Sequence, residues 1–255
     1  MPYLPDPAHL RVASYNIRKT RGLDQRRDPA RILGVINQLN ADVIALQEAD
    51  RRLGNRPSAL CRTLIQSETD YRVVNLATND VSLGWHGNAI LVRKGICVAN
   101  IARIDLPGLE PRGAVRVRIE HSGVLDVVGT HLGLTRYHRR HQLRALADNL
   151  QGSGQAILLG DFNEWSLRKG LEPIRDRFDV KAPGRTYHAA QPLAALDRIA
   201  VSKGMDVRAT GVEDGPLARR ASDHLPIWAD VTLAPDIAAI SNRAPARLPC
   251  AADRV

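Results

Sequence analysis

Short apolar runs rich in Val, Ile and Leu recur along the chain at 11–17, 42–46, 72–76, 88–93 and 113–119, and again at 124–129, 156–160, 196–201 and 227–233. Their length and β-branched content predict nine strands. Gly113-Ala114-Val115-Arg116-Val117-Arg118-Ile119 alternates apolar with basic residues, the mark of a strand with one wet face. Residues 43–46 and 156–159 are continuously apolar between polar neighbours, which fits strands buried on both faces. Helical periods lie between some of the strands. Asp28-Pro29 reads as an N-cap and first helical residue, followed by Ile32, Leu33, Val35, Ile36 and Leu39 on one stripe. Residues 139–150 place Leu143, Leu146, Ala147 and Leu150 at the same spacing, and 57–68 is a weaker third case. Many strands with few helices predict packed sheets whose outer faces the helices cover.

The two halves echo one another. In each, a strand ends in a polar residue (Asn16; His131), a helix follows, and a buried strand then ends in an acid (Glu48; Asp161). That pattern gathers four polar groups at strand ends, where a cleft between two sheets can collect them. From Pro235 the chain is rich in Ala, Pro, Asn and Arg without periodicity. Residues 1–234 therefore read as one folded unit and 235–255 as a flexible tail.

At 255 residues, 44% hydrophobic and 25% charged, the chain is long and apolar enough to bury a core, which excludes wholesale disorder. It contains no run of 18 apolar residues, and Met1-Pro2-Tyr3-Leu4-Pro5-Asp6 has neither a basic nor an apolar leader region. Cys61, Cys97 and Cys250 are odd in number and widely spaced, matching no zinc or disulfide pattern and fitting a reducing compartment. These features predict a cytoplasmic protein without stable membrane insertion, taken as a monomer.

Thirty-six Lys+Arg against 27 Asp+Glu give +9, which favours an anionic partner such as nucleic acid, acidic lipid or a phosphorylated small molecule. Only five of the 36 basic residues are lysine, a bias that a GC-rich genome also produces. Aromatic residues make up 4%, too few for a protein that stacks many single-stranded bases.

The candidate chemistry lies in polar residues stranded at the ends of the apolar runs. Leu46-Gln47-Glu48 ends one, Gly129-Thr130-His131 another, and Gly160-Asp161-Phe162-Asn163-Glu164 a third. Leu196-Asp197-Arg198-Ile199 interrupts a fourth, and Ser222-Asp223-His224-Leu225-Pro226 precedes a fifth. Burying charged groups costs several kcal/mol unless they are paired or bound to metal, so five such placements point to a site rather than to accident.

With Ser14-Tyr15-Asn16-Ile17 added, these stretches, in this order, resemble the endonuclease/exonuclease/phosphatase superfamily over residues 10–233. The resemblance implies an α+β fold, a deoxyribonuclease I-like four-layer sandwich of two packed, mainly antiparallel sheets flanked by helices. It implies that Glu48 binds a divalent ion, supported by Asn16 and Asp223. These hard oxygen ligands, with no thiolate nearby, suit Mg²⁺ or Mn²⁺. It further implies that His224 contacts the scissile phosphate while Asp197 orients its imidazole, that Asp161 activates or positions water, and that Asn163 binds a phosphate oxygen. His131 stands where some branches of the family carry tyrosine and others histidine. The stretch 85–90 offers it no acidic partner, so phosphate contact is its implied role.

Outside those motifs, Arg112 starts the alternating run and is placed to meet a substrate phosphate bidentately. Arg140 and Arg144 share a helix face in Arg136-Tyr137-His138-Arg139-Arg140-His141-Gln142-Leu143-Arg144, which suits either a phosphate backbone or plain solvation. The expected reaction is metal-dependent hydrolysis of a phosphodiester by direct water attack, with nucleic acid as substrate. The alternatives are a phosphodiesterase or phosphatase acting on phospholipid headgroups or small phosphorylated molecules, and a catalytically idle binding module that keeps the fold.

Overall fold

A computed structural model describes residues 9–121 and 123–234. The expected tail at 235–255 lies outside the described residues. All nine expected runs carry strands, and three more appear. In chain order they are β1 (His9–Asn16), β2 (Val43–Gln47), β3 (Tyr71–Val73), β4 (Ala89–Arg93), β5 (Cys97–Leu106) and β6 (Arg112–Glu120). β7 (Val124–His131), β8 (Gln155–Asp161), β9 (Phe178–Lys181), β10 (Asp197–Ser202), β11 (Asp206–Val212) and β12 (Ile227–Thr232) follow. The helices are α1 (Pro29–Leu39), α2 (Arg62–Glu68), α3 (Arg136–Asn149), α4 (Glu172–Arg175) and α5 (Ala218–Ala221).

The strands form two six-stranded sheets, ordered β11-β12-β1-β2-β4-β3 and β5-β6-β7-β8-β10-β9. Each sheet is antiparallel except for one central parallel pair, β1 with β2 and β7 with β8. A parallel pair needs a crossover, and α1 and α3 supply the two. The echo in the sequence is therefore a repeated β-α-β unit, one per sheet.

The core divides into three apolar layers. Val12, Val43, Ala45, Val115, Val127, Ile157 and Ile199 interlock between the sheets. Ile44 and Leu46 point the other way on β2 and meet Ile32, Val35 and Ile36 of α1. On the other sheet Val128 and Leu158 meet Leu143 and Leu146 of α3. The result is the helix–sheet–sheet–helix layering, and it explains why β2 and β8 are apolar at every central position. Each fully buried Ile or Leu contributes about 2 kcal/mol relative to exposure. Asp28 caps α1 by accepting from the Arg31 amide at 3.0 Å, and Thr135 caps α3 through the His138 amide. The third expected helix begins at Arg62 rather than 57, because residues 57–61 form a loop in which the Ser58 and Ala59 amides donate to Val81 and Ala49.

β5, β9 and β11 are edge strands, and their exposed faces carry the polar residues that obscure a strand period. Cys61 is exposed and free. Among the described residues no helix is long and apolar enough to cross a membrane.

Candidate active site

The catalytic candidates meet because of strand register. In β7, β8 and β10, His131 is the neighbour of Asp161, and Asp161 is the neighbour of Asp197. Register partners share a sheet face, so three polar side chains stand in one row at the strand ends. Asp197 opens β10 rather than interrupting it. From the other sheet, Asn16 at the end of β1 reaches across and donates Nδ2 to Asp161 Oδ2 at 3.1 Å.

Asp161 is the centre of this arrangement. Its Oδ2 also lies 3.4 Å from His131 Nε2 and 3.6 Å from His224 Nε2, so groups from both sheets converge on one oxygen. Its Oδ1 accepts the Asn163 amide at 2.9 Å, closing a turn that holds Asn163 at φ +52°. Glu48 sits at φ +52° as well. Left-handed backbone at two non-glycine residues costs about 1 kcal/mol or more each, and such strain collects where a side chain must be aimed. Gly160 carries φ +153°, and a Cβ there would collide with the Thr130 carbonyl; only glycine lets β8 approach β7 at this point.

His224 is fixed from behind. Asp197 Oδ2 pairs with His224 Nδ1 at 2.9 Å and accepts Thr186 Oγ1 at 2.5 Å, leaving Nε2 to face the cleft. Burial opposes a charge on His224, but the carboxylates of Asp197 and Asp161 outweigh it and hold the imidazole protonated, up to about 10. His131 goes the other way. Its burial, added to the positive charge of Arg112, outweighs Asp161 and keeps it neutral, down to about 3. Two histidines against one carboxylate thus hold opposite charge states. The acid that 85–90 does not give His131 comes instead from β8.

Glu48 and Asp223 form the second group. Lys19 Nζ contacts Glu48, Arg52 lies 3.6 Å from its other oxygen, and Arg18 Nε lies 3.1 Å from Asp223 Oδ2. Both carboxylates thus already gather cations at the cleft, with the Asn16 amide oxygen beside them accepting the Arg18 amide at 3.1 Å. Hard anionic oxygens of this kind fit a divalent Mg²⁺ or Mn²⁺ ion. Asp161, Asp197 and His224 also bring ligand atoms within 4.8 Å of one another. His224 Nδ1 is committed to Asp197, so of that ring only Nε2 remains open to the cleft.

The remaining candidates separate. Arg112 reaches the cleft with its side chain 10% exposed, held by Glu110 at 2.8 Å. Arg140 pairs with Glu172 at 3.0 Å, and neither it nor the exposed Arg144 lines the cleft. Asn163 donates one amide hydrogen to the Leu132 carbonyl at 2.9 Å and keeps the other.

Sequence reasoning missed Arg18, Lys19 and Arg52 around the carboxylates, Thr186 behind Asp197, and the aromatic wall of Trp165 and Tyr187. It also missed Glu164. That side chain is 1% exposed and takes paired bonds from Arg136 and a third from Arg139. Although burial opposes its charge, the two guanidiniums hold its carboxyl at about 2. The signal was present only as arginines one turn into a helix, which charge patterning cannot assign to a partner 25 or more residues away.

Acids, amides and histidines thus converge at one end of a two-sheet sandwich. The chain belongs to the endonuclease/exonuclease/phosphatase family, whose model matches residues 13–224. It is 34% identical over 166 residues to the uncharacterized protein YbhP of Escherichia coli K12, across 59% of this chain and 64% of YbhP. The match therefore spans less than two thirds of that relative. Among solved structures, a mannosyl-6-phosphatase of Bacteroides thetaiotaomicron superposes with a TM-score of 0.69 at 18% identity, over 88% of this chain and 100% of the other. D. rerio TDP2, complexed with a single-strand DNA product, gives 0.67 at 16% identity over 88% and 98%. A phosphatase and a DNA-bound protein share the fold equally well, so the fold does not choose the substrate.

Proposed function

We propose that the chain hydrolyses phosphodiesters with the help of a divalent cation, by direct attack of water on phosphorus. The observation that carries this reading is the convergence of Asn16, His131 and His224 on the single oxygen Asp161 Oδ2, beside the cation-attracting pair Glu48 and Asp223. Glu48, Asp223 and the Asn16 amide oxygen would hold Mg²⁺ or Mn²⁺, which would supply positive charge to the phosphoryl oxygens.

The chain's own groups do the rest. Asp161 accepts a proton from the attacking water, held in place by Asn16 and by the backbone turn at Asn163. His224 presents Nε2 to a phosphoryl oxygen, its other nitrogen tied to Asp197 so that the ring cannot turn. The free amide hydrogen of Asn163 and the ring of His131 contact the same phosphoryl group from the other side. Arg112 adds charge at the mouth.

For the substrate, two observations pull apart. The net charge of +9 favours DNA or RNA, and the surface around the cleft favours a phospholipid headgroup. A panel of supercoiled DNA, abasic duplex, RNA, phospholipids and inositol phosphates, each with and without Mg²⁺ or Mn²⁺, tests the proposal. Metal-dependent release from a diester supports it. Turnover of none of them, or of monoesters alone, overturns it.

A further inference from the structure

Large apolar side chains left in water need no explanation when scattered singly, but gathered at one end of a fold they point to a surface that something covers. Among the described residues, nine large hydrophobic side chains are exposed, and six of them stand on loops at the cleft end. Leu53 is 85% exposed in the loop after β2, and Leu109 is 90% exposed in the turn between β5 and β6. Leu134 follows β7, Trp165 and Leu167 follow β8, and Leu193 precedes β10, each about 65% exposed. At the opposite end, the turns at 94–96, 150–154 and 203–205 carry Lys94, Gln151 and Lys203 with glycines, and no exposed large hydrophobic side chain.

The tips belong to the cleft. Leu134 and Trp165 line it directly. Leu53 lies between Arg52 and Arg56, and Leu109 precedes Glu110 and Arg112; those four charged residues line the adjoining lobe. The Leu193 amide donates to the carbonyl of Tyr187, another cleft residue, at 2.8 Å.

Basic residues stand between the tips. Arg51 and Arg52 precede Leu53, Arg136 follows Leu134, and Arg168 and Lys169 follow Leu167, all exposed. Separate tips on five loops form no continuous groove for a peptide. A polyanion in water gains nothing from leucines. A bilayer surface takes both parts, since loop-tip Leu and Trp enter the acyl boundary while guanidiniums stay at the phosphates.

We infer that this rim docks the cleft onto an anionic phospholipid surface, so that the phosphodiester hydrolysed is that of a lipid headgroup. This inference rests on the proposed phosphodiesterase reading, and the two are tested separately. Binding is measured in EDTA by co-sedimentation with vesicles of phosphatidylcholine alone or mixed with phosphatidylglycerol. Activity is measured with Mn²⁺ on a soluble chromogenic phosphodiester. The wild type should partition at least about tenfold better onto the anionic vesicles. Replacing Leu53, Leu109 and Leu193 together by Ser should lower that partition by about tenfold or more and leave soluble-diester hydrolysis within about twofold. Vesicles with brominated acyl chains should quench the fluorescence of the wild type more than that of Trp165→Phe, a readout that does not depend on the triple variant folding.

Equal partition of wild type and triple variant, or no quenching at Trp165, overturns the inference. So does loss of DNA binding in the triple variant from a protein that ignores vesicles, which would make the rim a nucleic-acid interface. A protein that binds vesicles but leaves the soluble diester intact overturns the hydrolytic reading and spares the docking.

Discussion

At the end of the sandwich away from the cleft, Asp42 is 1% exposed and fully answered. Its two oxygens take Arg93 Nε at 3.2 Å and the Arg11 amide at 2.8 Å. Asp126, equally buried, receives both arms of Arg118 at 3.1 and 2.8 Å. At the cleft end the same residue type is treated differently. Asp161 faces two histidines and an amide, and Asp197 Oδ1 is buried with no hydrogen-bond partner. Buried carboxylates that arginine closes hold strands together. Carboxylates left facing titratable groups and open space retain reactivity that folding did not use up.

Substitution at the two ends should separate these roles. Asp161→Asn removes the proposed proton acceptor and should lower kcat/KM on a soluble phosphodiester by about 10³-fold or more while the Tm shifts by only a few degrees. Asp42→Asn should do the reverse. It removes the buried carboxylate charge that Arg93 Nε meets at 3.2 Å, at a cost of about 3 kcal/mol, seen as a Tm lower by roughly 10 °C with activity within about twofold. If Asp161→Asn unfolds the protein, or Asp42→Asn abolishes turnover in folded protein, the distinction between the ends fails.

A smaller effect probes Asp197 and His224 as a unit. Each of Asp197→Asn and His224→Ala should cost about 10²-fold or more in kcat, and the double variant little beyond either. Additive losses would mean that the two act independently, despite their 2.9 Å contact.

Glu164 supplies a pH test. Its folded carboxyl is held at about 2, below its unfolded value near 4.5, so its contribution to stability is complete above the unfolded value and disappears as pH falls toward 2. Urea unfolding between pH 5 and pH 2 should show a loss of about 2 kcal/mol in the wild type that is absent from Glu164→Gln. An identical pH profile for both proteins would remove Glu164 from the anchor of the β8 loop.

The smallest effect is expected on α3. Because Arg140 pairs with Glu172 away from the cleft, changing Arg140 and Arg144 to Ala should alter soluble-diester hydrolysis by less than about twofold. A larger loss would return that helix face to the substrate path. On long DNA, removing an arginine that neutralises a backbone phosphate should lower the salt slope by about 0.9.

Much of this architecture is written in the chain. The motif residues are polar side chains ending apolar runs, and a strand end is where a sandwich opens a cleft, so Asn16, Glu48, His131 and Asp161 could be found one run at a time. The repeated strand–helix–strand order pointed to the two parallel pairs. What the sequence hides is lateral. That His131 sits beside Asp161 depends on the β7–β8 register, which no local pattern encodes. Lys19 and Arg52 reach Glu48 only because their loops fold back over it. β5 and β11 escape notice because an edge strand can leave both faces wet. The exposed leucines of the rim are legible as residues and become meaningful only when their loops are seen to share one end.

The cleft end is proposed as a single metal-assisted hydrolytic site built around Glu48 and Asp161. Its most direct test is Mn²⁺ titration of EDTA-treated protein during hydrolysis of a soluble phosphodiester, comparing wild type with Glu48→Gln. Turnover should be absent without metal and recover saturably in the wild type, with a midpoint raised about tenfold or more in Glu48→Gln, whose fold should be intact. Full turnover after chelation, or the same midpoint in both proteins, would contradict it.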